Sequence, residues 1–173
     1  MIKFLLFRYK KNKINFMFMI LQCEDMLNLL CINITSFNIK NKMKKVEVVA
    51  AILKFKDEIL CAQRAESKLE YISKKYEFPG GKIEPGETKK EALKRELDEE
   101  LSINPEINDL FITVVHQYPD FELTMHTFLC NVHTKDISLN EHLSSTWLKK
   151  NELLSLDWAA ADIPIVNKLM KDE

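Results

Sequence analysis

Glycine is almost missing from this chain. Three occur in 173 residues, where average usage is about 7%. All three, Gly80, Gly81 and Gly86, fall within one seven-residue window. Turns elsewhere must therefore be made by other residues, and backbone freedom is concentrated in one loop. Cysteine is also sparse. Cys23, Cys31, Cys61 and Cys130 are scattered without CxxC spacing, which argues against a zinc site and for small buried hydrophobes in a reducing cytoplasm. No apolar run reaches the roughly 18 residues that span a bilayer. Basic charge is not in excess: the net charge is −1, so the chain lacks the field that draws a protein to a nucleic-acid backbone. A polymeric nucleic-acid substrate and a membrane partner are both disfavoured, while a small phosphorylated ligand is not.

What remains suits one domain with a tail. Hydrophobic residues make up 46% of the chain and charged residues 29%, enough for a real core under a soluble surface. Residues 1–42 have no glycine or proline and carry seven basic residues against Glu24 and Asp25. The apolar run Ile14 to Leu21 follows Lys10, Lys11 and Lys13 but stops at Gln22 with no small-residue cleavage site, so it does not make a secretory signal. We expect a loosely structured extension, or an upstream start chosen in place of Met43, with the folded domain at 43–173.

From Val46 an α/β pattern begins. Val46 to Phe55 is apolar and β-branched and reads as a strand buried on both faces. Lys56-Asp57 turns it into a second strand, Ile59 to Arg64, and residues 65–75 read as a polar loop. Thr88 and Glu91 have capping-box spacing at the start of a helix ending near Leu101. Phe111 to Gln117 and Leu123 to Val132 read as strands joined by the turn residues Tyr118-Pro119-Asp120-Phe121. Ser145 to Leu148 reads as a short strand. After Trp158, Ile163, Val166 and Met170 recur at helical spacing and predict a C-terminal helix.

The glycine loop runs into the helix, and the helix is dense with carboxylates. At about 100° per residue, Glu96, Glu99 and Glu100 share a face beside the apolar stripe Leu93, Leu97 and Leu101. Like charges at i, i+3 and i+4 repel by about 0.2–0.5 kcal/mol per pair. A hard divalent cation such as Mg²⁺, which takes oxygen ligands and shares its shell with water and phosphates, would relieve that repulsion. Salt bridges on a solvated face would also do so, with Glu91 and Arg95 at i, i+4 as one such pair.

Gly81, five residues, Glu87, seven residues, then Arg95-Glu96-Leu97-Asp98-Glu99-Glu100-Leu101-Ser102-Ile103 resembles the Nudix box. The stretch from Val46 to about Met170 resembles a MutT-type Nudix hydrolase. One box position departs, since Ser102 stands where the family usually has glycine.

The resemblance implies the Nudix fold, an α/β (α+β) arrangement of a mixed sheet sandwiched between helices with a loop–helix–loop catalytic motif. It implies hydrolysis of (deoxy)nucleoside triphosphates, oxidised ones such as 8-oxo-dGTP first and cytidine nucleotides as the alternative, to monophosphate and pyrophosphate. It further implies Mg²⁺, or alternatively Mn²⁺, held by Glu96, Glu99, Glu100 and the Gly80 carbonyl. Glu96 would also be the base that activates water, and Arg95 would orient the glutamates. A glutamate from a distant loop shortly before a tryptophan matches Glu141, six residues before Trp147. Arg64 and Glu77-Phe78-Pro79-Gly80 would line the nucleotide site. Trp158-Ala-Ala-Ala-Asp162-Ile-Pro164 resembles the base-reading loop, with an ionised Asp162 accepting from the cytosine amine or from the N7–H of 8-oxoguanine. Relatives acting on cytidine nucleotides share the Ala-Asp-Ile-Pro run. Phe78, Tyr118 and Phe121 could stack a base, and His116 and His126 read as structural. A dinucleotide or nucleotide-sugar substrate would call for further recognition elements, and a silent sensor for lost box carboxylates, none of which is lost. The expected protein is a cytoplasmic, monomeric enzyme of nucleotide-pool sanitation.

Overall fold

The computed structural model describes residues 43–171. The expectations for 1–42, including Cys23 and Cys31, lie outside the described residues. Six strands form one mixed sheet: β1 (Lys44–Phe55), β2 (Glu58–Gln63), β3 (Tyr76–Glu77), β4 (Glu106–Gln117), β5 (Phe121–Asn131) and β6 (Ser144–Lys149). Their order is β3-β2-β1-β5-β4, with β6 also paired to β2. β1 runs parallel to β5 from Lys44–Phe121 to Lys54–Asn131, and the other pairings are antiparallel. Among the described residues two helices flank the sheet, α1 (Lys89–Leu101) and α2 (Ile163–Lys171), with a 3-10 turn over Lys150–Ser155.

The central strand shows why the sheet carries a layer on each face. Successive side chains of a strand point to opposite sides. Val49, Ala51 and Leu53 pack with Leu60 and with Ala92, Leu93, Leu97 and Leu101 of α1. Ala50 and Ile52 pack with Cys61, Trp158 and with Ile165, Val166 and Leu169 of α2. The expectation of a strand buried on both faces and of helices sandwiching a mixed sheet is met, and the apolar stripe of α1 is the face that packs.

Several boundaries differ from the sequence reading. β4 starts at Glu106, not Phe111, because irregular register between Ile107 and Ile112 breaks its apolar alternation while pairing to β5 continues. The two-residue strand β3 and the 3-10 turn are too short to leave a periodic signal. The turn after β4 forms as read, closed by Tyr118 N–H to Phe121 O at 2.9 Å.

One irregularity creates the site. β1 and β2 pair only beside their turn, at Lys54–Ile59 and Phe55–Glu58. Beyond that the glycine loop takes the edge of β1: Val49 N–H donates to Gly81 O at 2.9 Å, Ala51 N–H to Pro79 O at 2.8 Å, and Ile83 N–H to Glu47 O at 3.2 Å.

Candidate active site

The approach of this loop to β1 depends on Gly80. Its φ is +145°, and a methyl group there would overlap the Val49 carbonyl oxygen. Gly81 has a different role. Its φ is not in the left-handed region, but a Cβ would overlap the Glu96 carboxylate. The missing side chain is the space in which Glu96 lies.

Helix α1 is fixed at both ends. Thr88 and Glu91 form a complete capping box, with Glu91 Oε2 accepting from Thr88 N–H at 2.8 Å. Glu91 is therefore occupied at the cap. Arg95 pairs instead with Glu87, Nε to Oε1 at 2.8 Å and Nη2 to Oε2 at 3.0 Å. Its Nη1 donates to Glu96 Oε1 at 2.9 Å and Glu99 Oε2 at 3.2 Å, and Nη2 also reaches Lys82 O at 3.0 Å. Hydrogen bonds from Arg95 hold the Glu87 carboxyl at about 2. At the other end Ser102 sits in the left-handed conformation, φ 54° and ψ 40°. The loop after β5 binds this end. Asn140 N–H donates to Glu100 O at 2.9 Å, and its side-chain amide donates to Glu99 O at 2.7 Å and Ser102 Oγ at 3.1 Å. Glu141 is the next residue.

The three helix carboxylates are not equivalent. Glu99 is exposed, and Glu96 is largely covered and bound by Arg95. Glu100 is buried, with 8% exposure, and its Oε2 accepts from Gly80 N–H at 2.9 Å. Burial pushes the Glu100 carboxyl up to about 7, against the pull of His142 and the Gly80 N–H. Among the described residues no three acidic, histidine or cysteine side chains are gathered as a cation cage. Arg95 Nη1 bridges Glu96 and Glu99, while Glu100 is turned to the Gly80 N–H. The donor set itself, three carboxylates at i, i+3 and i+4 beside a backbone loop, has the all-oxygen chemistry of a hard divalent cation.

Glu100 opens onto a cavity of about 450 Å³, within the range of small-ligand sites. Arg64, Glu77, Phe78, Gly80, Gly81, Lys82, Glu141 and Asp162 also line it. Of the residues expected at the site, Pro79, Arg95, Glu96 and Glu99 do not line the cavity; the last three form the arginine-centred cluster beside it. Arg64 Nη1 pairs with Glu77 Oε2. Pro79 is buried and lends its carbonyl to β1.

The far end is apolar, walled by Val48, Ile72, Tyr118, Phe121, Leu123 and Met125. Tyr118 stacks on Tyr71 at 5.1 Å between ring centroids, and Tyr71 Oη donates to Asp120 at 2.8 Å. Phe78 is not free to stack with both faces, since its ring lies on Trp158 at 4.8 Å. Asp162 is buried, with 4% exposure, and its Oδ1 accepts from Phe78 N–H at 3.0 Å. Burial pushes its carboxyl well above the usual carboxylate range. This favours the neutral acid, a donor as well as an acceptor, where sequence reasoning took an ionised acceptor.

His126 is structural as read: Nε2 lies 2.7 Å from Glu47 and Nδ1 2.9 Å from Thr113 Oγ1. His116 packs edge-on to Tyr118. Sequence reasoning missed His142. Its side chain is 3% exposed and faces Glu77 at 3.4 Å. A lone histidine in a polar stretch carries no periodic signal, and only its place beside Glu141 could have marked it.

Comparisons with known proteins agree with this geometry. Residues 48–168 match a family model described as a NUDIX domain. The chain is 32% identical over 130 residues to the 8-oxo-dGTP diphosphatase of Escherichia coli K12, covering 75% of this chain and 99% of the relative. It is 34% identical over 129 residues to the CTP pyrophosphohydrolase of the same organism, covering 74% and 93%. Among solved structures, the Escherichia coli ORF135 protein aligns with a TM-score of 0.65 and 32% identity over 75% of this chain and 91% of that one. The MutT protein of methicillin-resistant Staphylococcus aureus 252 aligns with a TM-score of 0.61 and 41% identity over 76% and 99%.

Proposed function

Because the chain belongs to the Nudix hydrolase family, we propose that residues 43–173 hydrolyse (deoxy)nucleoside triphosphates to the monophosphate and pyrophosphate, with oxidised nucleotides such as 8-oxo-dGTP preferred. The observation that carries this reading is the single cavity with two unlike ends. An aromatic and aliphatic pocket closed by a buried carboxyl suits a base, and a glycine loop flanked by Arg64 and Lys82, with Glu100 to hold a phosphate-bound cation, suits a polyphosphate.

Glu96, Glu99, Glu100 and the Gly80 carbonyl are the groups to hold Mg²⁺, with Mn²⁺ an alternative. When bound, the cation supplies charge neutralisation at the phosphates and eases ionisation of a water molecule. Water attacks the β-phosphorus, the bond from that phosphorus to the α,β-bridging oxygen breaks, and the monophosphate leaves with the bridging oxygen. Glu96 takes the proton from the water, and Arg95 keeps Glu96 and Glu99 oriented through a fork that suits carboxylates. Glu141, anchored through Asn140, closes the catalytic end. Arg64 meets the phosphates, and Asp162 reads the base. Two buried free thiols, Cys61 and Cys130, each pushed up to about 12 by burial, support a reducing cytoplasm as the setting. Among the described residues no helix is long and apolar enough to cross a membrane. We read the active species as a monomer.

Asp162 also favours a second reading. A carboxyl that both donates and accepts can pair with N3 and the exocyclic amine of cytosine, which makes a cytidine triphosphate the alternative substrate. The test is a panel of 8-oxo-dGTP, dCTP, 5-methyl-dCTP, CTP and ADP-ribose with Mg²⁺, following release of pyrophosphate and monophosphate. Turnover of 8-oxo-dGTP above dCTP is expected. The reverse order selects the cytidine reading, and no turnover of any triphosphate refutes the proposal.

A further inference from the structure

Among the described residues, two buried side-chain polar atoms lack a hydrogen-bond partner: Thr127 Oγ1 and His142 Nδ1. Thr127 lies within the sheet, on β5, but His142 lines the cavity. Burying an imidazole with one nitrogen unpaired is unfavourable, and an apolar residue in its place would avoid that loss. Its other nitrogen, Nε2, lies 3.4 Å from Glu77 Oε1, while Glu77 Oε2 is paired to Arg64. The three side chains form a line running outward, His142 at 3% exposure, Glu77 at 15% and Arg64 at 40%. Burial alone would lower the imidazole's pKa, but Glu77 and Glu100 outweigh it and hold the group above its ordinary value. A carboxylate only accepts, so the Nε2 that faces Glu77 Oε1 carries the ring proton.

We propose that His142 is a positioning residue for the nucleotide's phosphates: it holds Oε1 of Glu77, leaves Oε2 to Arg64, and thereby aims the guanidinium into the cavity. A planar guanidinium pairs with phosphate only in a fixed orientation, and Arg64, at 40% exposure, would otherwise range over many rotamers. The proposal rests on the triphosphate reading above, and its test includes a measurement that needs no turnover.

Full-length protein is titrated by calorimetry with a non-hydrolysable α,β-methylene nucleoside triphosphate, and KM and kcat are measured with the hydrolysable one. His142→Leu is expected to weaken binding about tenfold, the factor that one well-formed charge-assisted contact supplies. KM should rise alike and kcat should fall much less. His142→Gln keeps an amide donor for Glu77 and should recover most of the loss. Arg64→Ala should bind as weakly as the double variant Arg64→Ala/His142→Leu, because His142 acts only through Arg64. Parental affinity in His142→Leu, no recovery in His142→Gln, or multiplied effects in the double variant would each overturn the proposal. If His142→Leu loses its thermal transition, Glu77→Gln reads the same contact from the other partner; it should match Arg64→Ala, and parental affinity there overturns the proposal too. A parent that binds the analogue but turns over no triphosphate refutes the proposed function alone, and calorimetry still decides the role of His142.

Discussion

Replacing Ser102 with glycine should stabilise the protein, and by more when Asn140 is also removed. A non-glycine residue in the left-handed region costs about 1–2 kcal/mol, and Ser102 has φ 54°. Glycine relieves most of that strain but gives back part of it as backbone entropy in the unfolded chain, leaving a gain of about 1 kcal/mol. It also removes Ser102 Oγ, the acceptor for the Asn140 amide at 3.1 Å. That bond is exposed, so its net worth is at the low end, about 0.5 kcal/mol. Ser102→Gly alone should thus gain about 0.5 kcal/mol, or about 2 °C in melting temperature for a domain of this size. In an Asn140→Ala background the acceptor is already idle, and the same change should gain about 1 kcal/mol, or about 4 °C. Urea denaturation of the four proteins gives the cycle directly. A Ser102→Gly protein that melts below the parent, or that gains no more in the Asn140→Ala background, would refute this account of the helix end. Asn140→Ala should also lower kcat, since Glu141 follows Asn140 in the chain.

Glu100→Gln should lower kcat by about 10²–10³-fold while the thermal transition persists, because an amide oxygen can still accept from Gly80 N–H; near-parental turnover would remove Glu100 from the metal set. Apparent Mg²⁺ affinity should fall about tenfold per pH unit below 7, since the cation must displace a proton from a carboxyl held at about 7. A flat Mg²⁺ dependence between pH 6 and 8 would contradict this. Without metal, the raised Glu100 binds its proton more tightly folded than unfolded, so its stabilisation is complete below its unfolded value and is lost as pH rises through 7. His142, also raised, acts in the same sense. Urea midpoints should therefore rise as pH drops from about 7.5 to 5, and Glu100→Gln should flatten the rise. Gly81→Ala should displace the Glu96 carboxylate and cost about 10²-fold in kcat with little change in melting temperature; parental kcat would show that Glu96 can move aside without loss.

The fold was legible wherever one residue type repeats with a period or stands at a cap. The apolar run of β1, the stripe of α1, and the Thr88–Glu91 box each follow from local physics, and each formed. The Gly81-to-Ile103 spacing carried the family resemblance. What escaped was set by contacts distant in sequence. Arg95 passes over Glu91 for Glu87 because the capping box already occupies Glu91. Asp162 turns to the Phe78 N–H, 84 residues away, in a pocket whose burial raises its carboxyl. His142 acquires meaning only when β6 pairs with β2 and brings it beside Glu77, and no local pattern announces such a meeting.

The three residues Phe78, Pro79 and Gly80 link the two ends of the cavity. The Phe78 N–H is tied to Asp162 and the Gly80 N–H to Glu100, at 3.0 and 2.9 Å, and the Pro79 carbonyl is pinned to β1 at 2.8 Å. Trans-linked Cα atoms at 3.8 Å spacing make this a strut of at most about 7 Å. On the proposed reading, the two ends of the ligand are gauged against one ruler. The segment fixes the distance between the group that faces the base and the group that faces the phosphates, so only a ligand of matching length meets both.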